Sequence, residues 1–292
     1  MVTKKESKTL TQQRVRPTEL LGKASGKIGK SLKKPAEPTQ ALIVVHGAGK
    51  FPQSHIDDIA AKIKQLYGKP LETFVAYYAD WDEHLSPLSI QAELPGAVEF
   101  KQEFRAELQK QYNALPPSAR PIVAEGIWDA DSVGGLEVLG ILTREITAYL
   151  FKPTATAIIQ KPLVQALQQA RRFDEIYLVS HSLGTVVAFD VLKQMANQFP
   201  IAKWITLGCP LGKLRRVGTR DAGLGKITEQ TVKTWYNVFD TTDIVADAIS
   251  PAFPLPGYRI HDIFVEVAST MPDAHDYFHN AESLRLMVES MS

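Results

Sequence analysis

Cysteine is nearly missing. The 292 residues contain one, Cys209, so no disulfide can form within the chain. That usage fits a reducing compartment, and the chain is expected in the cytoplasm. Long apolar runs are missing too: no stretch approaches the roughly 20 residues a helix needs to cross a bilayer. The first residues lack the continuous apolar core of a secretory signal. His275 and His279 stand four apart, but Pro272 marks their stretch as loop, so no metal is expected there. There is no phosphate loop, and the Gly-x-Gly pieces at 47–49 and 222–225 lack the context of a dinucleotide fingerprint. No cofactor is expected, and nothing beyond residue 40 suggests nucleic acid.

What is present is ordinary for a globular chain, with 45% hydrophobic and 22% charged residues, enough to bury a full core. The net charge of +1 conceals an asymmetry. Residues 1–40 hold ten Lys/Arg against three Glu, so they carry +7 and the remainder −6. This first segment is rich in Lys, Thr, Ser, Gln and Pro and reads as a basic, disordered tail. Within it, Leu20 to Lys34 forms a weak basic amphipathic pattern. It is either a solvated tail, which its three glycines favour, or a peripheral contact with an anionic membrane surface. Residues 41–292 are expected to form the folded domain.

Along that domain apolar runs alternate with helical patterns. Ala41 to Val45 suits a doubly covered strand and ends at His46-Gly-Ala-Gly49. A helix is expected over Asp57–Tyr67, closed by Gly68, then a strand over Thr73–Tyr78. Residues 81–130 break the alternation. They contain five prolines and one amphipathic helix with Phe100, Phe104, Leu108 and Tyr112 spaced by four. This helical insertion after the second strand is either a lid or an excursion packed on the core. Helices are expected over 136–150 and 163–172, and strands over 176–180, 203–207, 234–239 and 263–267. Residues 213–230 read as a loop, and 281–291 as a closing helix. The alternation implies an α/β fold: a mainly parallel central sheet with helices on both faces.

The chain is organised around Ile176-Tyr-Leu-Val-Ser-His-Ser-Leu-Gly184, an apolar strand that stops at a serine and turns at once into a helix. That is the pattern of a nucleophile elbow, G-x-S-x-G, with Ser180 in place of the first glycine. A serine hydroxyl needs a histidine to take its proton, and the histidine needs a carboxylate to fix its tautomer. In open α/β sheets such groups gather beyond the carboxyl ends of the strands. Ser182, Asp243 and His275 each follow a different expected strand, in the order Ser, acid, His. Asp240 is a rival acid nearer its strand end, and His279 a rival base. His261 and Asp262 fall before the expected last strand, at the wrong end of the sheet. An oxyanion needs two donors; the backbone N–H of Leu183, at the positive end of the elbow helix, and that of Ala48 are the candidates.

Ser-His-Ser-Leu-Gly (180–184), Thr-Asp-Ile-Val (242–245) and Ala-His-Asp-Tyr-Phe (274–278) resemble the three catalytic motifs of α/β-hydrolase lipases. The likeness is to class 3 lipases and to serine hydrolases of the GPI-inositol-deacylase type, and it spans about residues 41–291. It implies an α/β-hydrolase fold and a serine esterase that cleaves a carboxylic ester of a lipid or another apolar acyl group. Ser182 would be the nucleophile, His275 the base, and Asp243, which matches the family's Asp-x-Val pattern, the acid. His46 would be a structural brace of the oxyanion loop. His181 is expected to point away from Ser182, Cys209 to be a small buried hydrophobe, and Asp247 to be a solvated loop or cap residue. His55 and His84 have no supporting context. Acyl transfer or amide cleavage would use the same residues. A non-catalytic scaffold of this fold is the alternative outside enzymes.

Overall fold

The run at 40–45 is strand β1 (Gln40–Val45), buried from Ala41 onward. It lies between β2 (Glu72–Ala76) and β3 (Glu175–His181). Next to β3 come β4 (Ile201–Leu207), β5 (Val232–Phe239) and β6 (Ile260–Phe264), giving the order β2-β1-β3-β4-β5-β6. Every pairing is parallel, so all six strands end at the same edge of the sheet. The computed structural model describes residues 39–85, 95–120, 137–195, 198–218, 227, 230–253 and 259–292. Nearly all of the basic segment lies outside these, as do 86–94 and 121–130 of the insertion.

Seven α-helices join the strands among the described residues: α1 (Gln53–Tyr67), α2 (Ala97–Ala114), α3 (Glu137–Phe151), α4 (Pro153–Ala170), α5 (Leu183–Gln194), α6 (Leu211–Arg216) and α7 (Ala281–Met291). Successive strand residues point to opposite faces, which splits the core in two. Leu42, Val44, Tyr177, Val179, Ile205 and Leu207 pack with α1 and α7. Ala41, Ile43, Val45, Leu178, Trp204 and Trp235 pack with α2 to α6. The α/β architecture expected from the alternation, a parallel sheet covered on both faces, is therefore the one the chain adopts. In α2 the aromatic stripe faces inward, with Phe100, Phe104 and Leu108 buried in that second core.

Four elements differ from the sequence reading by more than two residues. Helix α1 begins at Gln53 rather than Asp57. Helix α4 runs from Pro153 through Pro162, where only its second half was expected. An interior proline removes one helical donor. The continuous buried face of Ala155, Ile159, Leu163, Ala166, Leu167 and Ala170 carries the helix across it. Residues 211–216 are helix α6, which takes in the first four residues of the 213–230 stretch read as a loop and buries Leu211 and Leu214. The last strand is 260–264, not 263–267, so His261 and Asp262 lie inside it. Their polarity hid the strand, but Asp262 is satisfied there. Its carboxylate accepts from Asn237 Nδ2 and from the backbone N–H groups of Ile249 and Ser250.

Candidate active site

Five loops leave the common edge: His46–Gly49 after β1, Ser182 after β3, Gly208 after β4, Asp240–Val245 after β5 and the chain to His275 after β6. The turn at Ser182 is the sharpest. Among the described residues Ser182 is the one non-glycine with positive φ, at φ 51° and ψ −123°. Such backbone is sparsely populated and persists only where its surroundings enforce it. Here Ser182 N–H donates to Leu207 O at 2.9 Å, and helix α5 starts at the next residue. Gly184 enforces the turn by contact: a β-carbon there would stand 2.2 Å from His46 O. Ser180, in the usual glycine position, is satisfied. Its hydroxyl accepts from the Trp204 indole N–H at 2.8 Å, and Trp204 stacks on Trp235.

Ser182 is buried, and among the described residues its Oγ has no hydrogen-bond partner. Leu183 follows as the first residue of α5, whose opening N–H groups have no partner within the helix. A β-carbon on Gly47 would stand 2.9 Å from Ser182 Cβ, so the loop carrying the half-buried Ala48 lies directly against the serine.

The structure brings His275 and Asp243 together. His275 Nδ1–H donates to Asp243 Oδ2 at 2.7 Å, with Asp243 fully buried and His275 nearly so. A carboxylate only accepts, so Nδ1 carries a proton, and in the neutral ring Nε2 carries the lone pair. Asp243 takes two further donors, Val245 N–H on Oδ1 and the Tyr277 hydroxyl on Oδ2, both at 2.9 Å. Burial alone would raise this carboxyl. The His275 ring and the three hydrogen bonds outweigh it and hold the group below the usual carboxylate range. The room for the imidazole comes from Gly208, where φ is +57° and a β-carbon would stand 2.8 Å from His275 Cε1.

The rivals are occupied elsewhere. Asp240 accepts from Thr242 N–H and Oγ1 on one oxygen and from Val267 and Ala268 N–H on the other, pinning the loop after β5 to the chain after β6. His279 is exposed and donates to Asp276. Asp247, expected to be solvated, instead pairs with the fully buried Lys213 at 2.9 Å and with Arg216 at 2.7 Å, because α6 brings both cations to it. Cys209 is buried, which pushes its thiol well up and out of reach of a thiolate.

His46 is a locked, neutral ring. Tyr78 N–H donates to its Nε2 at 2.9 Å, so its Nδ1–H is left to donate to Gly47 O at 2.6 Å. Burial drives its pKa down to about 3. His181 lies beside the base. Its Nε2–H donates to His275 O at 3.0 Å, the ring centroids are 4.7 Å apart, and burial lowers its pKa to about 3. His55 stacks loosely against His279, and His84 sits on the surface near Asp80.

Three residues at the site were given no role in the sequence reading. Glu145 of α3 is buried and accepts from Gly49 N–H at 3.2 Å, steadying the loop after β1. Gln111 of α2 donates to Asp243 O and Ala246 O. Tyr277 lies two residues past His275, and only its type, an apolar ring with a polar tip, hinted at a buried hydrogen bond.

Among the described residues, no cluster of His, Cys, Asp and Glu is arranged to hold a metal ion, and no helix is long and apolar enough to cross a membrane. No family model matches the chain, and no curated protein matches it. Among solved structures the chain is similar to the thioesterase RedJ from the prodiginine biosynthetic pathway in Streptomyces coelicolor. The identity is 12% and the TM-score 0.37, over 89% of this chain and 90% of that one.

Proposed function

We propose that this chain is a serine hydrolase of the α/β-hydrolase kind that cleaves a carboxylic ester through an acyl-enzyme. The observation that carries the reading is the buried Asp243–His275 pair at the same sheet edge as Ser182, the residue held at positive φ. With its Nδ1 proton committed to Asp243, His275 offers Nε2 as the base. Ser182 Oγ attacks the acyl carbonyl while its proton passes to Nε2. The oxyanion is met by the N–H groups of Leu183 and Ala48. Nε2–H then protonates the departing alkoxide. Water repeats the sequence on the acyl-enzyme and releases the acid. In the resting structure the serine is not hydrogen-bonded to the histidine. Such contacts often tighten only when substrate binds.

An apolar or lipid acyl group is favoured by the likeness of Ser180–Gly184, Thr242–Val245 and Ala274–Phe278 to lipase motifs. Turnover of p-nitrophenyl esters of graded chain length, beside matched anilides, tests the whole reading. The wild type hydrolyses the esters, the longer chains better than acetate, and Ser182→Ala loses roughly 10⁴-fold or more in kcat. Equal rates for the two proteins would remove the reading, and faster anilide cleavage would change the reaction class to amide hydrolysis.

A further inference from the structure

Resting on the hydrolase reading, we propose that Tyr277 is a positioning residue for the acid: its hydroxyl fixes the aim of the Asp243 carboxylate and sets how tightly that carboxylate holds His275. Tyr277 is fully buried, and its hydroxyl is used twice. It donates to Asp243 Oδ2 at 2.9 Å and accepts from Asp240 N–H at 2.9 Å. It therefore ties the strand end to the carboxylate that sits three residues on, from a position two residues past the base. Since Asp240 in turn holds Val267 and Ala268 N–H, the loop with the acid is joined to the chain carrying the base twice, ahead of His275 at 267–268 and past it at Tyr277.

The shared oxygen matters. Asp243 Oδ2 accepts from both Tyr277 and His275, while Oδ1 accepts from Val245 N–H. Two donors on one oxygen divide its charge, so each weakens the other's bond. The phenol hydroxyl thus moderates the grip of Asp243 on the imidazole, and it stops the carboxylate from rotating about Val245. Burial pushes the Tyr277 hydroxyl well up, so it remains a donor throughout the working range. The other ionisable groups facing this pair are His181, against the His275 ring and carbonyl, Asp240 across the Tyr277 hydroxyl, and Lys213 behind the acid loop. None of these donates a hydrogen bond to the carboxylate.

Tyr277→Phe keeps the ring, with its edge contact to His275, and removes only the hydroxyl. Asp243 then concentrates its charge on His275. The deshielded Nδ1 proton of His275 moves further downfield, the acid limb of kcat/KM moves to higher pH, and kcat falls roughly tenfold with KM unchanged, less than the full contribution of a general base. Site-specific 3-fluorotyrosine at 277, a stronger donor of nearly native shape, shifts the resonance and the limb the opposite way; this variant stands in should the phenylalanine protein fail to fold. Thr242→Val removes a bond to Asp240 without touching Asp243. It lowers stability and leaves resonance and limb in place, as a purely structural role for Tyr277 would. An unmoved Nδ1 resonance in Tyr277→Phe, or shifts of the same sign in both Tyr277 variants, overturns the proposal. The resonance is read in a Ser182→Ala background, which does not turn over. Failure of the hydrolase reading therefore shows separately, as absent wild-type turnover.

Discussion

A buried carboxylate with no donors would sit protonated, because burial penalises the charge. Asp243 stays ionised because His275, Val245 N–H and Tyr277 converge on it. Asp240, three residues earlier, is a second buried carboxylate, yet four donors, two from Thr242 and two from the chain after β6, commit it to holding backbone. The two aspartates are therefore expected to fail differently. Asp243→Asn keeps the fold and loses roughly 10⁴-fold in kcat, because an amide favours the wrong imidazole tautomer. Asp240→Asn presents an NH₂ to backbone donors, costs about 1–3 kcal/mol in urea unfolding, and keeps most of its turnover. Comparable losses of kcat in both variants would contradict the division. Strand position could not separate these aspartates, since each follows the same apolar run; only the likeness of residues 242–245 to a lipase motif favoured Asp243. What separates them is where donors from residues 267, 268, 275 and 277 arrive, and that is non-local. Ser182 was legible for the opposite reason: its constraint is local, written in Gly184 and in the abrupt passage from strand to helix.

At the scale of elements, the strands were read where both faces are apolar, as in β1 and β3. The reading slipped where an edge strand carries His261 and Asp262. Helix α6 was missed because its lysine and arginines suggested solvent. In the fold Lys213 is wholly buried, donating to Ala246 O at 3.0 Å and pairing with Asp247, while Arg216 bridges Asp247 and Glu107 of α2. Together with Gln111, these side chains hold the loop just past the acid against two helices. Lys213→Met leaves the Asp247 carboxylate and the Ala246 carbonyl short of a partner. Unfolding in urea should show a loss of about 3–5 kcal/mol, the usual cost of breaking a buried pair from one side. A loss under about 1 kcal/mol, the size of an exposed pair, would mean that the cluster is not holding the loop.

For the whole molecule, the neutral histidines His46, buried, and His181, half-buried, set the response to acid. The His46 pKa is about 3 in the fold against 6.5 for the free side chain, because burial disfavours its charged form. A group depressed in this way contributes its stability in full above pH 6.5 and loses it as the pH falls toward 3, by several kcal/mol at most. His181 acts in the same direction, and the lowered Asp243 carboxyl adds to the loss only below about pH 4. The urea midpoint should be flat from pH 8 to 7 and fall between 6.5 and 4. His46→Gln should start lower and fall less over that interval; an unchanged slope would show that His46 is not buried as a neutral ring. The placement of the candidate site beyond the strand ends was legible from the order of apolar runs and loops, as was the parallel sheet that puts those ends together. The partners that complete it were not: Glu145 and Gln111 reach the site from helices whose own pattern is ordinary, and nothing in the motif around Tyr277 showed which carboxylate its hydroxyl would meet.

The account rests on Ser182 being a nucleophile, and covalent capture tests that most directly. Folded protein is treated with a fluorophosphonate, digested, and the modified peptide identified by mass spectrometry. The account predicts one adduct, on Ser182, absent in Ser182→Ala and strongly slowed in His275→Ala. No adduct on the folded wild type, or an adduct that persists in Ser182→Ala, would contradict it.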